Sequence, residues 1–351
     1  MNMLLRRCRF IALMMVAIAA NAVTMELAPG TIVTAEQNIE KAWIDIETTE
    51  GVNFVLGDPK AAKRVESTRK FGQYQKIIYT ANSNGDDTNF LRAEALYGKG
   101  QFIDSIEHYK KATATARYHW QVDQSYRRAA EGLVRATDKG PEILSLLKEY
   151  VERYPKNVHM AEVVLLRARL SLTAGDFTGA MQDYQLMAKQ GVLWSPTAEV
   201  DGMLGQRNVL IAQKKFPEAL ALLTPYWAKL KPDENGEAFA QIALTIASDL
   251  EADGKESEYI ATLKKIYLAP LAAEFQARAR LQYARLLAKG KTTESALNAF
   301  DHVAIAGLLG GDADTQSGVS KLVRELATRI QNDKSLTDEV RKEYRMYTSS
   351  F

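Results

Sequence analysis

The sequence predicts a mainly all-α protein, an α-α superhelix of about six helical hairpins preceded by a small N-terminal β-meander. From about residue 88 onward, apolar residues recur with the spacing of amphipathic helices. Turn-forming residues interrupt this pattern at positions 100, 140, 175, 214, 254 and 290, which marks an internal repeat of 35 to 40 residues. Residues 23–68 instead contain four short runs of β-branched and aromatic residues separated by turn signals, a pattern typical of strands.

The repeat has a local signature around each turn. An aromatic residue, a small residue and a tyrosine follow Gly100 at the second, fifth and ninth positions, and the same features follow Gly175. The segment after Lys214 keeps the aromatic and the small residue. Glycine accepts the left-handed conformation that ends a helix, and the small residue lets the second helix approach the first. One hairpin cannot bury its apolar face alone, so we expect the hairpins to stack around a concave groove.

These segments resemble the tetratricopeptide repeat (TPR) family. The turn pattern after Gly100 and Gly175 matches well, and Tyr154-Pro155 resembles the junction between tetratricopeptides of bacterial envelope proteins. The resemblance covers roughly residues 88–309. The period exceeds the family's 34 residues, and the Trp-Leu-Gly-Tyr signature of its first helix is absent. The resemblance implies a TPR-like solenoid that binds a protein or peptide partner in its groove.

The first 22 residues have the pattern of a secretory signal peptide. Three arginines precede the apolar stretch Phe10–Ala19, and Ala20-Asn21-Ala22 forms a small-x-small cleavage site. A stretch of this length is too short to cross a bilayer comfortably, because a spanning helix needs about 20 apolar residues. We therefore expect export across the inner membrane to the periplasm or envelope, with an uncleaved anchor as the alternative.

Cleavage would change both the charge and the cysteine content. The whole chain carries 45 basic and 43 acidic residues, and losing three arginines leaves 42 against 43, a net charge of about −1. General binding to nucleic acid requires many cationic contacts and is therefore not expected. The single cysteine, Cys8, precedes the apolar run and would leave with the signal, whereas a lipoprotein needs its cysteine at the cleavage point.

The remaining boundaries follow from composition. We assign residues 23–68 to a small β-rich unit, 69–87 to a basic linker, 88–310 to the TPR-like repeats and 311–351 to C-terminal capping helices. A glycine-rich stretch, Gly307–Gly318, is expected to break the array before the cap. The basic cluster at the linker could meet an anionic membrane surface, a glycan or an acidic partner, although a solvated linker is the simpler interpretation. Its cations are Lys60, Lys63, Arg64, Arg69, Lys70 and Lys76.

No motif assigns catalysis, a cofactor or a metal. The four histidines, His108, His119, His159 and His302, have no metal-binding spacing. Two acidic loops begin like calcium sites at Asn82 and Asp312, but each would-be loop lacks the glutamate required at its twelfth position. No phosphate-binding loop or nucleophile elbow is present. We predict a protein that is not an enzyme, with no cofactor.

The predicted partner site is the concave face of the array. Arginine forms forked hydrogen bonds with carboxylates, and tyrosine adds contact area at low entropic cost. Counting back from the turns, the residues expected to face the groove are Tyr97, Arg127, Arg169, Asn208 and Arg280. Any of them could instead brace neighbouring hairpins.

Three functions are compatible with this pattern. The first is a scaffold of the cell envelope that binds a peptide or another protein. The second is an accessory superhelical module of a cell-wall processing system, similar to the helical part of some lytic transglycosylases. The third is a structural protein that self-assembles into oligomers through the ends of the array.

Overall fold

The computed structural model describes residues 25–349 apart from residues 62, 71, 81–85 and 137–139. The predicted signal peptide therefore lies outside the described residues. The chain divides into two compact units, Met1–Glu199 and Val200–Phe351. The described part is mainly helical and begins with one antiparallel sheet, which confirms the predicted fold class.

The sheet contains five antiparallel strands in the order β4-β3-β2-β1-β5. Its buried face, which includes Ile32, Ile44, Val52 and Phe54, forms a small apolar core. Tyr74, from the connection between the two edge strands, packs into this core and donates a hydrogen bond to Glu47 over 2.8 Å. The strands are β1 Ala28–Val33, β2 Asn38–Thr48, β3 Gly51–Leu56, β4 Val65–Lys70 and β5 Lys76–Tyr79.

The predicted basic linker 69–87 is wrong in its first part, because strands of the sheet occupy residues 69–70 and 76–79. Residue 69 lies inside β4, and β5 follows at residue 76, so the sheet extends to Tyr79. Both strands are edges of the sheet, where exposed lysine and arginine discourage pairing with another chain. Because these edge strands carry many charged residues, their composition resembles that of a solvated linker.

Three helical hairpins complete the first unit. Ser105 and Ala180 are fully buried between the helices of their hairpins, as the repeat pattern predicted, and Tyr109 and Tyr184 are buried beside them. The helices are α1 Thr88–Gly98, α2 Phe102–Thr115, α3 His119–Ala136, α4 Gly140–Arg153, α5 Met160–Thr173 and α6 Phe177–Gln190.

The second unit contains three more hairpins and a final helix pair. Residues of its first five helices share one apolar core that includes Leu223, Ile242 and Leu263. A second core joins the remaining helices. The helices are α7 Ala198–Ala212, which begins two residues before the unit boundary, α8 Phe216–Trp227, α9 Gly236–Ala252, α10 Glu256–Leu268, α11 Ala273–Ala288, α12 Thr293–Leu309, α13 Ala313–Gln331 and α14 Asp338–Ser349.

The predicted turn residues Gly100, Gly175, Lys214, Gly254 and Gly290 lie between the two helices of their hairpins. Gly100, Gly175 and Gly254 have φ values of 75°, 79° and 71°, the left-handed conformation that glycine adopts without strain. Lys214 adopts φ 61° at the equivalent position, so the chain accepts a non-glycine residue there. Gly140 differs, because it is the first residue of α4.

The predicted break at Gly307–Gly318 is wrong in extent. Only residues 310–312 separate α12 from α13, and Gly318 lies within α13. Val319, Leu322 and Val323 of α13 share a core with α11 and α12. α13 therefore continues the packing of the repeats, whereas α14 adds only partly buried residues such as Tyr344 to this core.

Candidate functional site: a cleft between the sheet and two hairpins

Among the described residues, three backbone hydrogen bonds attach the sheet region to the helices of the first unit, and in one of them the Val158 amide donates to the carbonyl of Glu47 in β2 over 3.4 Å. The Glu26 amide donates to the carbonyl of Arg117 over 2.8 Å, just before α3. The Thr49 amide donates to the carbonyl of Lys156 over 3.0 Å, just before α5. These bonds hold the sheet against the connections before α3 and α5, which are two successive connections between hairpins.

Aromatic side chains support the same junction. Trp120 of α3 stacks on Tyr79 of β5, with ring centroids 4.8 Å apart and nearly parallel planes. Phe90 of α1 meets the edge of the same indole at 5.0 Å. Offset and edge-on ring pairs of this kind contribute about 0.5–1.5 kcal/mol beyond the area they bury.

A cleft of about 240 Å³ remains open between the sheet and the helices. Its walls combine aromatic, acidic, basic and amide side chains from β2, β5, α3 and the connection before α5. The lining residues are Ile46, Glu47, Tyr79, Trp120, Asp123, Gln124, Arg127, Asn157, Val158 and His159.

Asp123 is the centre of the polar network in this cleft. Asp123 is only 6% exposed. One of its carboxylate oxygens accepts a hydrogen bond from Nη2 of Arg127 at 3.0 Å. The other oxygen accepts from the Tyr150 hydroxyl at 2.7 Å. Burial and the Asp123 charge raise the pKa of Tyr150 above its ordinary value. The carboxylate is thus held by one cation and one phenol, as a buried charge requires.

His159 also lines the cleft. Burial, assisted by the nearby Arg127 cation, lowers the pKa of the His159 imidazole below its ordinary value of 6.5. Its backbone amide donates to the side chain of Asn157 over 2.8 Å, which fixes the start of α5. At neutral pH the histidine therefore presents an uncharged ring to the cleft.

A larger cavity of about 780 Å³ lies elsewhere on the sheet, beside Trp43. Its charged lining residues, Glu40, Lys41 and Asp58, are all exposed. It lacks the convergent buried polar groups that give a binding site its specificity. For this reason the smaller cleft is the stronger candidate.

The structure locates each of the five predicted groove residues. Tyr97 of α1 donates to Glu131 over 2.7 Å and lies under the Arg128 guanidinium, so it braces α1 against α3. Arg127 lines the cleft. Arg169 is exposed on α5.

The other two predicted residues belong to the second unit. Asn208 is exposed on α7 and accepts from Arg207 over 3.0 Å. The Arg280 guanidinium on α11 lies 4.5 Å from the Tyr267 ring centroid. Among the described residues, no hydrogen bond, ion pair or ring contact joins any two of the five predicted residues. Their shared role in one groove stays a prediction.

Sequence reasoning missed most of the cleft. Trp120, Asp123 and His159 were not predicted, because the residues that surround them come from positions as distant as Glu47 and Asn157. One local signal was available. Asp123 and Arg127 are four residues apart on one helix, the spacing at which opposite charges pair.

The hairpins outside the cleft use similar arginine–aspartate pairs. Arg167 of α5 pairs with Asp183 of α6, with Nε 2.8 Å from a carboxylate oxygen. Arg207 of α7 pairs with Asp249 of α9, with the corresponding distance 3.1 Å. Both pairs are largely buried, as the Arg127–Asp123 pair is, and they stabilise helix packing.

Comparison with known proteins yields structural likenesses only. No family model matches the chain, and no curated protein matches it. Among solved structures, it is similar to the C-terminal part of a TPR repeat-containing protein from Cytophaga hutchinsonii, with 14% identity, coverage of 74% of this chain and 93% of that one, and a TM-score of 0.45. It is also similar to a tetratricopeptide repeat protein from Parabacteroides merdae, with 14% identity, coverage of 67% and 96%, and a TM-score of 0.27.

The helical-hairpin architecture of this chain is established by its own helix bounds and cores. Within the residues that the structure describes, no helix is long and apolar enough to cross a membrane.

Proposed function

We propose that the protein is a non-catalytic interaction scaffold that is exported to the cell envelope and binds a peptide or protein partner. The observation that carries this proposal is the cleft between the sheet and α3, where Arg127, Trp120 and His159 lie close to solvent beside a fixed backbone frame. Aromatic and arginine side chains on rigid elements are the groups that dominate most protein interfaces.

The chemistry of the cleft favours binding over catalysis. Both of its carboxylates already have hydrogen-bond partners: Asp123 accepts from Arg127 and Tyr150, and Glu47 accepts from Tyr74. A general acid or base has to exchange a proton with substrate, which a carboxylate held in an ion pair does poorly. The same fixed groups are well suited to orienting the polar backbone of a peptide.

Site-specific photo-crosslinking tests the binding site. Gln124 lies at the cleft and is half-exposed, so p-benzoylphenylalanine at this position would face a bound partner. Gln185 is an exposed glutamine on α6 and provides the matched control. In the organism that encodes the protein, we expect a discrete adduct from position 124 and none from position 185.

An arginine variant decides whether that adduct depends on the cleft. The substitution Arg127→Lys keeps the cation beside Asp123 but removes the forked donor, and we expect it to reduce the adduct at position 124 severalfold. Adducts of equal yield at positions 124 and 185, or an adduct indifferent to Arg127→Lys, would contradict binding in the cleft.

Export is tested separately. A fusion of the first 30 residues to alkaline phosphatase, which is active only after export, should give phosphatase activity, because this segment contains the arginines, the apolar stretch and the cleavage pattern. The same fusion with Ile11→Asp and Val16→Asp should be inactive. Equal activity from both fusions would contradict export through this segment.

A further inference from the structure

Arg280 differs from Arg127, Arg167 and Arg207 in having no acidic partner among the described residues. Arg127, Arg167 and Arg207 each pair with an aspartate. Among the described residues, no carboxylate forms a hydrogen bond or ion pair with Arg280, and its Nε is buried without a hydrogen-bond partner. Arg280 therefore carries a positive charge that no acid among the described residues neutralises through a direct contact.

The surroundings of Arg280 form a cationic and aromatic cluster on three helices of the second unit. Its guanidinium lies over Tyr267 of α10, and its Nη1 is 3.4 Å from Nδ1 of His302 on α12. Lys264 of α10 lies 5.6 Å from the ring of Tyr283 on α11. The imidazole of His302 meets the Tyr283 ring edge-on at 4.7 Å.

This cluster is open to solvent. Lys264 is exposed, and Arg280, Tyr283 and His302 are partly exposed. Asp301 opposes the lowering of the His302 pKa, but it is itself exposed and forms no hydrogen bond to the cluster among the described residues. Two cations therefore face solvent between aromatic rings, which is an arrangement that accommodates an anion carrying apolar atoms.

We propose that Arg280 and Lys264, with His302, bind a carboxylate group of the peptide partner. This inference rests on the proposed function, since it assigns the chemistry that the partner must carry. The forked guanidinium matches the two oxygens of a carboxylate, and the flanking rings of Tyr267 and Tyr283 provide contact area for the adjoining carbon atoms. A C-terminal carboxylate and an aspartate or glutamate side chain share this chemistry.

Carboxylate binding should be coupled to protonation of His302. Nδ1 of His302 can accept from Arg280 only while it carries no proton. Burial, followed by the Arg280 cation, lowers the pKa of His302, and Lys264 adds to this effect against the opposing Asp301 charge. A bound carboxylate would offset the two cations and raise that pKa. Affinity should therefore increase as pH falls through the pKa of His302, by about tenfold for each unit of pKa rise.

Histidine NMR of the whole chain tests the site. The His302 resonance is assigned by its loss in His302→Asn, and its pKa is measured with three probes: N-acetyl-Ala-Ala-Ala with a free C-terminus, its C-terminal amide, and N-acetyl-Ala-Glu-Ala-amide. We expect the first or third probe to raise the pKa by at least half a unit and the uncharged amide to leave it unchanged. Whichever carboxylate probe gives the larger shift identifies the source of the carboxylate.

Substitutions on one helix provide the matched comparison. Arg280→Gln should weaken the effective probe at least tenfold, and Arg280→Lys should retain partial binding. Arg278→Gln, which removes an exposed arginine paired with Asp312 on the same helix, should change nothing. Far-ultraviolet circular dichroism establishes that each variant is folded.

Three results would overturn the proposal: no shift of His302 with either carboxylate, an unchanged shift in folded Arg280→Gln, or an equal shift with inorganic phosphate. Any of these results with the Arg127-dependent adduct at Gln124 intact would remove the carboxylate site and leave the proposed function standing.

Discussion

Arg127 in the first unit and Arg280 in the second both lie on the first helix of a hairpin, but their surroundings are opposite. Arg127 pairs with a nearly buried aspartate that also accepts from a tyrosine. Arg280 contacts a tyrosine ring and a neutral histidine and has no acidic partner among the described residues. An arginine on the first helix of a hairpin can therefore stabilise the fold through an ion pair in one repeat and remain available to bind an anion in another.

This difference predicts that mutations in the network around Asp123 reduce the stability of the fold more than mutations in the Arg280 cluster do. Asp123→Ala would leave the Arg127 guanidinium without its partner and the Tyr150 hydroxyl without an acceptor. We expect the free energy of unfolding to fall by about 3–5 kcal/mol, the usual cost of breaking a buried ion pair. Urea-induced unfolding measures the change. Asp301→Ala, an exposed aspartate beside the Arg280 cluster, should cost about 0.5 kcal/mol or less.

Removing only the hydroxyl of Tyr150 should lower the free energy of unfolding by less than Asp123→Ala does. Tyr150→Phe deletes one hydrogen bond to the Asp123 carboxylate and should lower the free energy of unfolding by about 1.5–3 kcal/mol, the range for bonds to charged groups. Tyr126→Phe on the paired helix removes a long contact of 3.4 Å to Glu149 and should cost about 0.5 kcal/mol or less. Equal costs for the two variants would mean that Asp123 does not depend on Tyr150.

Acid should destabilise the first unit partly through His159. Because burial lowers the pKa of His159 below 6.5, the folded state binds fewer protons than the unfolded state. Its contribution to stability is therefore complete above pH 6.5 and is lost as pH falls through and below that value. His159→Asn should flatten the dependence of the urea midpoint on pH between 7 and 5. An unchanged slope would exclude His159 as a source of acid sensitivity.

The smallest change in the free energy of unfolding is expected for a substitution of Arg280. Arg280→Met removes a cation that has no acidic partner among the described residues, so the free energy of unfolding should change by no more than about 0.5 kcal/mol. Arg207→Met provides the contrast, because it leaves Asp249 partly buried without its guanidinium and should cost about 3 kcal/mol or more. Similar costs at the two positions would contradict the distinction between paired and unpaired arginines.

The helical part of the fold was predictable because its signals are local. Gly100, Gly175 and Gly254 have the left-handed backbone that their positions in the repeat implied, and even Lys214 follows them. The small residues at the helix contacts were also visible in the sequence, as Ser105 illustrates. Helix periodicity and turn chemistry require no knowledge of distant contacts.

The edge of the sheet and the cleft were not predictable in the same way. β5 has only four residues, beginning at Lys76, and its identity as a strand depends on pairing with β1, more than 40 positions earlier. The cleft joins Glu47, Asp123 and His159, which no sequence spacing relates. Arg280 was selected from its position in the repeat, but only the assembled helices show that no acid among the described residues pairs with it.

The proposed binding site depends on the sheet and the first hairpins forming one folded body. Hydrogen–deuterium exchange tests this directly through the amides of Glu26 and Thr49, which bond to the connections before α3 and α5. We expect both amides to be protected to a degree similar to the interior of α3. Exchange of these two amides within seconds, while α3 remains protected, would contradict a fixed cleft between the sheet and the helices.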